Sequence, residues 1–251
     1  MQHHRGRLPP GDMTRVTFVG HSTVLVEMAG VRVLTDPILR GRVAYLRRLV
    51  PVPPVPDIDF VLVSHAHMDH LDPPSLRRLT GSPRVVVPRG CARHVARTGL
   101  GEVTEMEVGE RIPLGALELE ATPAEHDGRR LPVGRKVDAL GYLLHGPQRV
   151  YFAGDTDLFD EMDRVADGLD VALLPVAGWG TRLPPGHLDP ERAARAASLL
   201  RPRYAVPIHW GTLAGPGAAT ADPGQPAREF ARLADVEVRV LQPGESFELD
   251  P

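Results

Sequence analysis

The chain has 251 residues, of which 42% are apolar and 24% are charged, and its formal net charge is −3. This composition is typical of a globular protein long enough to bury a substantial core, and the near-neutral charge gives no reason to expect nucleic-acid binding. The single cysteine, Cys91, excludes an intramolecular disulfide and a cysteine-based zinc site. Histidine is the unusual residue type, because eleven occur in a chain with only 5% aromatic residues.

Targeting and membrane signals are missing from the sequence. No stretch approaches the roughly 18 consecutive apolar residues of a membrane span, and the N-terminus lacks the apolar segment of a secretory signal. We therefore expect a cytoplasmic protein without a transmembrane segment. Residues 1–13 are rich in Pro, Gly and Arg and are expected to form a flexible tail, followed by one domain over residues 14–251.

Short β-branched runs separated by Gly-containing turns open the chain, which is typical of a strand meander. The Pro- and Arg-rich residues 37–56 predict a loop with one helical turn. Further on, Asp72 followed by two prolines predicts the start of a helix. The predicted strands of this half are 15–19, 23–28, 31–35, 60–63 and 84–87, and the predicted helices are 73–79 and 91–98.

The second half alternates strands with single helices. Asp189 and Pro190 predict the start of an amphipathic helix that Pro202 ends. Because each half runs from strands to a helix and back to a strand, we predict an α/β fold in which two sheets pack together with helices outside. The predicted strands are 116–122, 139–144, 150–153, 171–174, 204–208, 236–241 and 246–249, and the predicted helices are 158–164, 191–200 and 227–234.

The strongest chemical signal is a cluster of His65, His67, Asp69 and His70 directly after the strand predicted at 60–63. His65 and His67 are two residues apart, so in an extended segment their side chains point the same way. Imidazole and carboxylate oxygen are ligands that zinc and similar metals accept. A solvated polar loop is the alternative, which the low chance frequency of this motif disfavours.

Three further candidate ligands follow predicted strands elsewhere in the chain. His126 comes shortly after the strand at 116–122, and His209 comes directly after the strand at 204–208. Asp155 follows Gly154, which permits a close approach of the backbone. Because functional residues concentrate where strands end, we expect these side chains to meet the histidine cluster.

Together these segments resemble the metallo-β-lactamase-fold hydrolase superfamily. Within it, they are similar to the branch that contains N-acyl-phosphatidylethanolamine-hydrolysing phospholipase D and L-ascorbate-6-phosphate lactonase. The resemblance covers about residues 14–249 and implies an α/β (α+β) four-layer αββα sandwich. The matching segments are residues 20–23, 34–37, 64–72, 152–156, 187–190 and 208–212.

The resemblance also implies a dinuclear metal centre. Two divalent ions are expected, zinc first, although the same ligands accept Mn²⁺, Fe²⁺ or Ni²⁺. A hydroxide that bridges the ions would be the nucleophile. By the resemblance, the first ion would be held by His65, His67 and His126, and the second by Asp69, His70 and His209, with Asp155 bridging both.

Two residues are candidates for proton handling. Asp69 would orient the hydroxide and carry its proton. His187 lies in a Gly- and Pro-rich loop directly before a helix start, where it could donate to the developing oxyanion or the leaving group. A histidine on a surface loop is the alternative for His187.

Other residues are candidates for support of the ligands or for the substrate pocket. Asp36 could hold the second nitrogen of a ligand histidine, or it could simply form a turn before Pro37. His21 lies in a tight turn outside the ligand set, and we place it behind the ligands or in the pocket. Trp179 and Trp210 flank candidate site residues and could form walls of the pocket, with ordinary core packing as the alternative.

The loop at 37–56 bears on the substrate. Arg40, Arg42, Arg47 and Arg48 alternate there with apolar residues, which favours a small anionic substrate with an apolar part, such as a phosphodiester lipid with peripheral membrane contact. A lid that is half core and half solvated is the alternative. We predict a phosphodiesterase of the phospholipase D type. A lactonase or another ester or amide hydrolase is the alternative, and a metal-binding protein without turnover is the third reading.

Overall fold

The computed structural model of the protein describes five stretches of the chain. They are residues 13–96, 98–130, 137–180, 183–217 and 222–249. Of the predicted N-terminal tail, only Met13 falls within these stretches. Within them, no helix has the length and apolar character that crossing a bilayer requires.

Seventeen strands and four α-helices make up the regular structure of the described residues. The strands of the first half are β1 (Thr14–Gly20), β2 (Thr23–Met28), β3 (Val31–Thr35), β4 (Arg42–Val43), β5 (Leu46–Arg48), β6 (Phe60–Leu62), β7 (Arg84–Pro88) and β8 (Val103–Met106). Those of the second half are β9 (Arg111–Leu114), β10 (Leu117–Asp127), β11 (Asp138–His145), β12 (Arg149–Phe152), β13 (Val171–Pro175), β14 (Tyr204–Ile208), β15 (Leu213–Ala214), β16 (Glu237–Val238) and β17 (Ser246–Leu249). The helices are α1 (Pro73–Leu76), α2 (Ala92–Val95), α3 (Pro190–Leu200) and α4 (Gln225–Leu233).

Two seven-stranded sheets dominate the fold. The first has the strand order β17-β1-β2-β3-β6-β7-β8, and the second has the order β16-β14-β13-β12-β11-β10-β9. In each sheet an antiparallel meander continues into parallel strands: β3, β6, β7 and β8 are parallel in the first, and β12, β13, β14 and β16 in the second. Parallel strands end at the same edge of a sheet, so the residues that follow several strands lie close together there and can form a functional site.

The two sheets pack face to face. Successive side chains of β2 alternate between two cores, because Val24 and Val26 face the other sheet whereas Leu25 faces the helices on the outside. Helices α1 and α2 cover the outer face of the first sheet, and α3 and α4 cover that of the second. The predicted four-layer αββα sandwich is therefore confirmed.

Helix boundaries follow the capping residues, with three corrections. Asp72 and Asp189 each accept a hydrogen bond from a backbone N–H of the first turn, which begins α1 and α3 as predicted. However, α1 and α2 are each only one turn long, where helices over 73–79 and 91–98 were predicted, and the helix predicted at 158–164 is only a 3-10 turn at Met162–Arg164. Glu161 takes a left-handed φ of 69° directly before that turn, which prevents a continuous helix.

Residues 37–56 contain a hairpin in place of the predicted loop with a helical turn. Strands β4 and β5 pair across a two-residue turn, and β15 adds to β5 as a third strand. Val43 and Leu46 point inward and pack with Ile38 and Leu213 in a small apolar cluster of their own. The edge strands β8 and β9 were also not predicted, because their half-exposed sequences lack a continuous apolar run.

Candidate metal centre

The candidate metal centre lies at the edge where parallel strands of both sheets end. In the first sheet, β1, β3 and β6 run in the same direction. In the second sheet, β10, β12 and β14 also share one direction. The site residues that follow these strand ends are His21, Asp36, His65–His70, Asp155 and His209, and His126 lies near the end of β10.

The structure brings His65, His67 and His126 together as one group of nitrogen donors. The Nδ1 atom of His67 lies 2.9 Å from Nε2 of His65 and 3.2 Å from Nε2 of His126. The three donor atoms are grouped closely enough to be candidate ligands of a single metal ion. His65 is fully buried, and the other two are half-buried.

A second group contains Asp69, His70 and His209, and His21 joins it. The Nε2 atoms of His70 and His209 are 3.2 Å apart, and Asp69 Oδ2 lies 3.6 and 3.7 Å from them. His21 Nε2 lies 3.1 Å from the same Asp69 oxygen, and burial lowers the pKa of His21 to about 3. The ring is therefore neutral, and its Nε2–H can donate to Asp69 and hold that carboxylate in place.

Asp155 connects the two groups. Its Oδ2 atom lies 3.1 Å from His70 Nε2, 3.3 Å from His209 Nε2 and 3.9 Å from His65 Nε2. Its other oxygen, Oδ1, is buried and has no hydrogen-bond partner. A buried carboxylate oxygen without a partner is costly, so this atom calls for a ligand that the protein does not provide.

In most of the histidines of the two donor groups, the ring nitrogen that points away from the centre donates a hydrogen bond. The Nδ1–H of His70 donates to Asp36 Oδ2 at 2.6 Å. Ser64 donates its hydroxyl to Asp36 as well, so that His65 Nδ1–H can donate to Ser64 Oγ at 2.9 Å. Because acceptors bind Nδ1, the lone pairs of Nε2 face the centre, as in histidines that bind metals. The remaining pairs are His126 Nδ1 with Gly186 O and His209 Nδ1 with Ala177 O, both at 2.7 Å.

The charges at the centre also fit a divalent cation. Burial acts to raise the pKa of Asp155, but His209 and His70 outweigh this effect and hold it well below its usual range. The pKa of Asp69 is likewise held well below its usual range, because neighbouring histidines outweigh the effect of burial. Burial lowers the pKa of His126 to about 4. In the described part of the chain, neither carboxylate pairs with an arginine or lysine. Imidazole nitrogens beside ionised carboxylates, with no arginine or lysine to neutralise them, form a donor set that a divalent metal ion accepts.

Backbone conformation at the centre is unusual as well. His21, Asp36 and His209 have left-handed φ angles of 58°, 31° and 64°, which non-glycine residues rarely adopt. His21 and His209 also support each other, because the N–H of His209 donates to the carbonyl oxygen of His21 at 2.9 Å. Strained conformations of this kind persist where the surrounding structure holds them for function.

A cavity of about 520 Å³ opens above the donor groups. His187 lines it, with Nε2 3.3 Å from Asp155 Oδ2. Trp179 lines it too, whereas Trp210 does not, because Trp210 stacks on Phe18 at 5.7 Å in the core and donates Nε1–H to Pro207 O. The interpretation of Trp210 as a pocket wall is therefore wrong, and core packing is its role.

The predicted arginine contacts with substrate are wrong for this cavity. Arg40 pairs with Asp72 at the start of α1, Arg48 is buried, and Arg42 and Arg47 are exposed on the hairpin. None of the four lines the cavity. Among the described residues, the arginines that line it are Arg129 and Arg130, which sequence reasoning missed although they follow His126 by three and four positions.

Arg48 anchors the hairpin to the rest of the fold. Its guanidinium donates to the carbonyl oxygens of Ile38, Val19 and Val50 at 2.9, 2.6 and 3.0 Å, and burial lowers its pKa to about 10. The backbone at Gly20 passes so close that a Cβ there would lie 2.7 Å from Arg48 Nη2. The sequence pattern of alternating arginines did not indicate this buried role.

We expect Arg48→Met to lower the free energy of unfolding by about 3 kcal/mol, because three buried carbonyl groups lose a charged donor. Urea unfolding of the metal-loaded protein measures this change. Arg47→Met on the exposed side of the same strand is the matched control and should change it by less than about 0.5 kcal/mol. Equal stability of the two variants would contradict the anchoring role of Arg48.

The chain is similar in sequence to a known superfamily of proteins. A profile described as Beta-lactamase superfamily domain matches residues 31–210. The chain belongs to this metallo-β-lactamase superfamily of metal-dependent hydrolases. This confirms the family that the histidine motif and the later ligand candidates had indicated.

Individual relatives agree with the branch. A UPF0173 metal-dependent hydrolase of Methanopyrus kandleri is 36% identical over 242 residues, which cover 93% of this chain and 99% of that protein. N-acyl-phosphatidylethanolamine-hydrolyzing phospholipase D 1 of Caenorhabditis elegans is 32% identical over 225 residues, covering 78% of this chain and 63% of that protein. The structure of Igni18, a metallo hydrolase of Ignicoccus hospitalis, has a TM-score of 0.71 at 28% identity and covers 95% of this chain and 99% of its own.

Proposed function

We propose that the chain is a dinuclear metal-dependent hydrolase that cleaves phosphodiesters. The position of Asp155 carries this proposal, because one of its oxygens lies between the two donor groups and the other has no hydrogen-bond partner. Zinc is the metal we propose first, and Mn²⁺, Fe²⁺ or Ni²⁺ would accept the same ligands. In this proposal, His65, His67 and His126 would hold one ion, Asp69, His70 and His209 would hold the other, and Asp155 would be a ligand shared by both.

When bound, the two cations supply an activated water and positive charge that stabilises the reacting oxygen atoms of the substrate. We assign Asp69 the orientation of that water, because Asp69 lines the cavity and His21 holds its carboxylate. His21 is thus a positioning residue that acts through Asp69.

His187 is proposed as the proton donor to the leaving oxygen. Its ring lines the cavity, and its Nδ1–H donates to the carbonyl oxygen of Pro184 at 3.1 Å. Burial acts to lower the pKa of His187, but the hydrogen bond and charge of Asp155 outweigh it and raise the pKa above its ordinary value. A raised pKa favours the protonated ring that a general acid requires.

The cavity wall supports an anionic substrate. Arg130 and His187 line the cavity beside the donor groups, and Arg129 lines it as a partner of Asp127. Guanidinium groups are well suited to phosphate oxygens. The resemblance to the phospholipase D of C. elegans points in the same direction, whereas a neutral lactone would make no use of these cations.

The test loads the purified protein with Zn²⁺ or Mn²⁺ and measures hydrolysis of bis-p-nitrophenyl phosphate beside a panel of lactones. We expect phosphodiester turnover, and we expect Asp69→Asn to lower kcat by about a hundredfold or more because the water loses its orienting carboxylate. Asp167→Asn, an exposed carboxylate away from the centre, is the matched control and should leave kcat unchanged. Turnover of lactones alone would replace this proposal with the lactonase alternative, and no turnover with two metals bound would favour a metal-binding protein.

A further inference from the structure

An apolar wall of the cavity lies beside the metal centre. The hairpin β4–β5 packs its inner side chains Val43 and Leu46 into a small cluster, against which Met68 and Trp179 also pack. This cluster is separate from the two main cores. A satellite cluster beside a site of ligand binding provides a fixed apolar surface next to the polar floor.

Tyr45 at the tip of the hairpin is the unusual member of this wall. All twelve aromatic residues of the chain are described, and Tyr45 is the only one of them that is exposed, with 50% of its surface accessible. Its ring contacts Trp179 edge-on, with 5.5 Å between ring centroids and an angle of 77°. Both rings line the cavity. An exposed aromatic ring at the mouth of a cavity is typical of a binding surface.

The two rings are held in place before any ligand binds. Arg48 anchors one end of the hairpin, and β15 pairs with β5 along its other edge. Trp179 accepts a hydrogen bond at its carbonyl oxygen from Gly215 N–H at 3.0 Å, and a Cβ at Gly215 would lie 3.1 Å from the indole ring. Rings fixed in this way lose little conformational entropy on binding, which favours recognition of a rigid group.

Charged residues also line the cavity. They include Arg130, the ion pair of Arg129 with Asp127, and members of both metal-binding groups. The cavity volume of about 520 Å³ falls in the range of sites for drug-sized molecules, which is roughly 300–1,000 Å³. The site therefore suits one compact ring beside an anionic group.

We propose that Tyr45 and Trp179 are specificity-determining residues that hold an aromatic or similarly flat ring of a small anionic ester, with its anionic group at the metal centre. This inference rests on the proposed function for the position of the reacting group. It goes further in assigning the substrate class, a compact aryl ester in preference to an open-chain alkyl ester.

Binding of inert analogues tests this inference without turnover. The zinc-loaded protein is titrated with phenylphosphonate and with methylphosphonate, and binding is measured by calorimetry. We expect phenylphosphonate to bind at least about tenfold more tightly, and Tyr45→Ala to reduce this preference about fivefold through loss of a ring contact. Tyr45→Phe should retain the preference. Val108→Ala removes an equally exposed apolar side chain, 51% accessible, that does not line the cavity, and should also retain it.

The outcomes separate the two proposals. Equal binding of the two phosphonates, or an unchanged preference in a folded Tyr45→Ala variant, would contradict the proposed selection of a ring by Tyr45 and Trp179. Neither result would contradict phosphodiester hydrolysis. Preferential binding of phenylphosphonate by a protein that hydrolyses no phosphodiester would support the wall and contradict the proposed reaction. A long-chain alkylphosphonate that binds more tightly than phenylphosphonate would show that the wall selects apolar length instead of a ring, and would also overturn the inference.

Discussion

Replacement of Asp155 by asparagine is expected to remove metal ions from the centre and to lower hydrolysis by more than a hundredfold. Loss of groups that merely support a metal ligand costs about 10–100-fold, and Asp155 has the more direct position. Its Oδ2 lies within 3.1–3.9 Å of nitrogens from both donor groups. Asparagine keeps the size of the side chain but removes the charge that a bridging ligand must share between two cations.

Metal analysis and thermal unfolding give independent measurements of this prediction. Metal bound only to the folded state raises Tm with metal concentration, so added zinc should raise Tm of the unmodified protein far more than Tm of Asp155→Asn. Removal of metal with a chelator should reduce the difference in Tm between the two proteins. Asp160→Asn, an exposed change five residues further on, is the control and should bind metal normally. Unchanged metal content in Asp155→Asn would contradict the ligand set that we propose.

The sequence predicted the parts of the centre that depend on local pattern. Apolar runs followed at once by histidine or aspartate marked strand ends, and parallel strands bring such ends to one edge. His65 and Asp155 therefore lie where the pattern placed them, although 89 residues (63–151) separate the ends of β6 and β12. The helix starts at Asp72 and Asp189 were predictable for a similar reason, since capping is decided within four residues.

Features that depend on contacts between distant segments were not predictable from local pattern. The four arginines of residues 40–48 look alike in sequence but have different environments. Arg48 is buried and donates to three carbonyl groups, whereas Arg40 pairs with the carboxylate of Asp72. The other two, Arg42 and Arg47, are exposed to solvent. Which of these arginines reaches a backbone carbonyl acceptor depends on where the fold places β1 and the loop after β3. Tyr45 carried no signal for the same reason, because its meaning comes from Trp179, which lies more than 130 positions away in the chain.

Asp36 links the two donor groups from behind, and its loss is the second large effect that we expect. Its carboxylate is fully buried and accepts hydrogen bonds from His70 Nδ1–H, Ser64 N–H and the Ser64 hydroxyl, at 2.6, 2.7 and 2.6 Å. Ser64 in turn binds Nδ1 of His65. One carboxylate thus orients a histidine of each group.

Asp36→Asn should therefore weaken metal binding by about 10–100-fold and lower the free energy of unfolding by about 3 kcal/mol. An amide places a donor where the carboxylate accepted hydrogen bonds, so that at least one buried N–H or O–H loses its acceptor. Competition with a metal chelator gives the zinc affinity, and urea unfolding gives the stability.

The decisive control is Asp72→Asn. Asp72 is also buried, and it accepts hydrogen bonds from Ser75 and pairs with Arg40, but it contacts none of the histidines that we propose as metal ligands. This variant should lose stability while keeping the zinc affinity of the unmodified protein. If both variants lost affinity equally, general destabilisation would explain the effect. A loss confined to Asp36→Asn would instead assign it to the orientation of His65 and His70, because only that variant disturbs the hydrogen bonds that direct their Nε2 atoms into the centre.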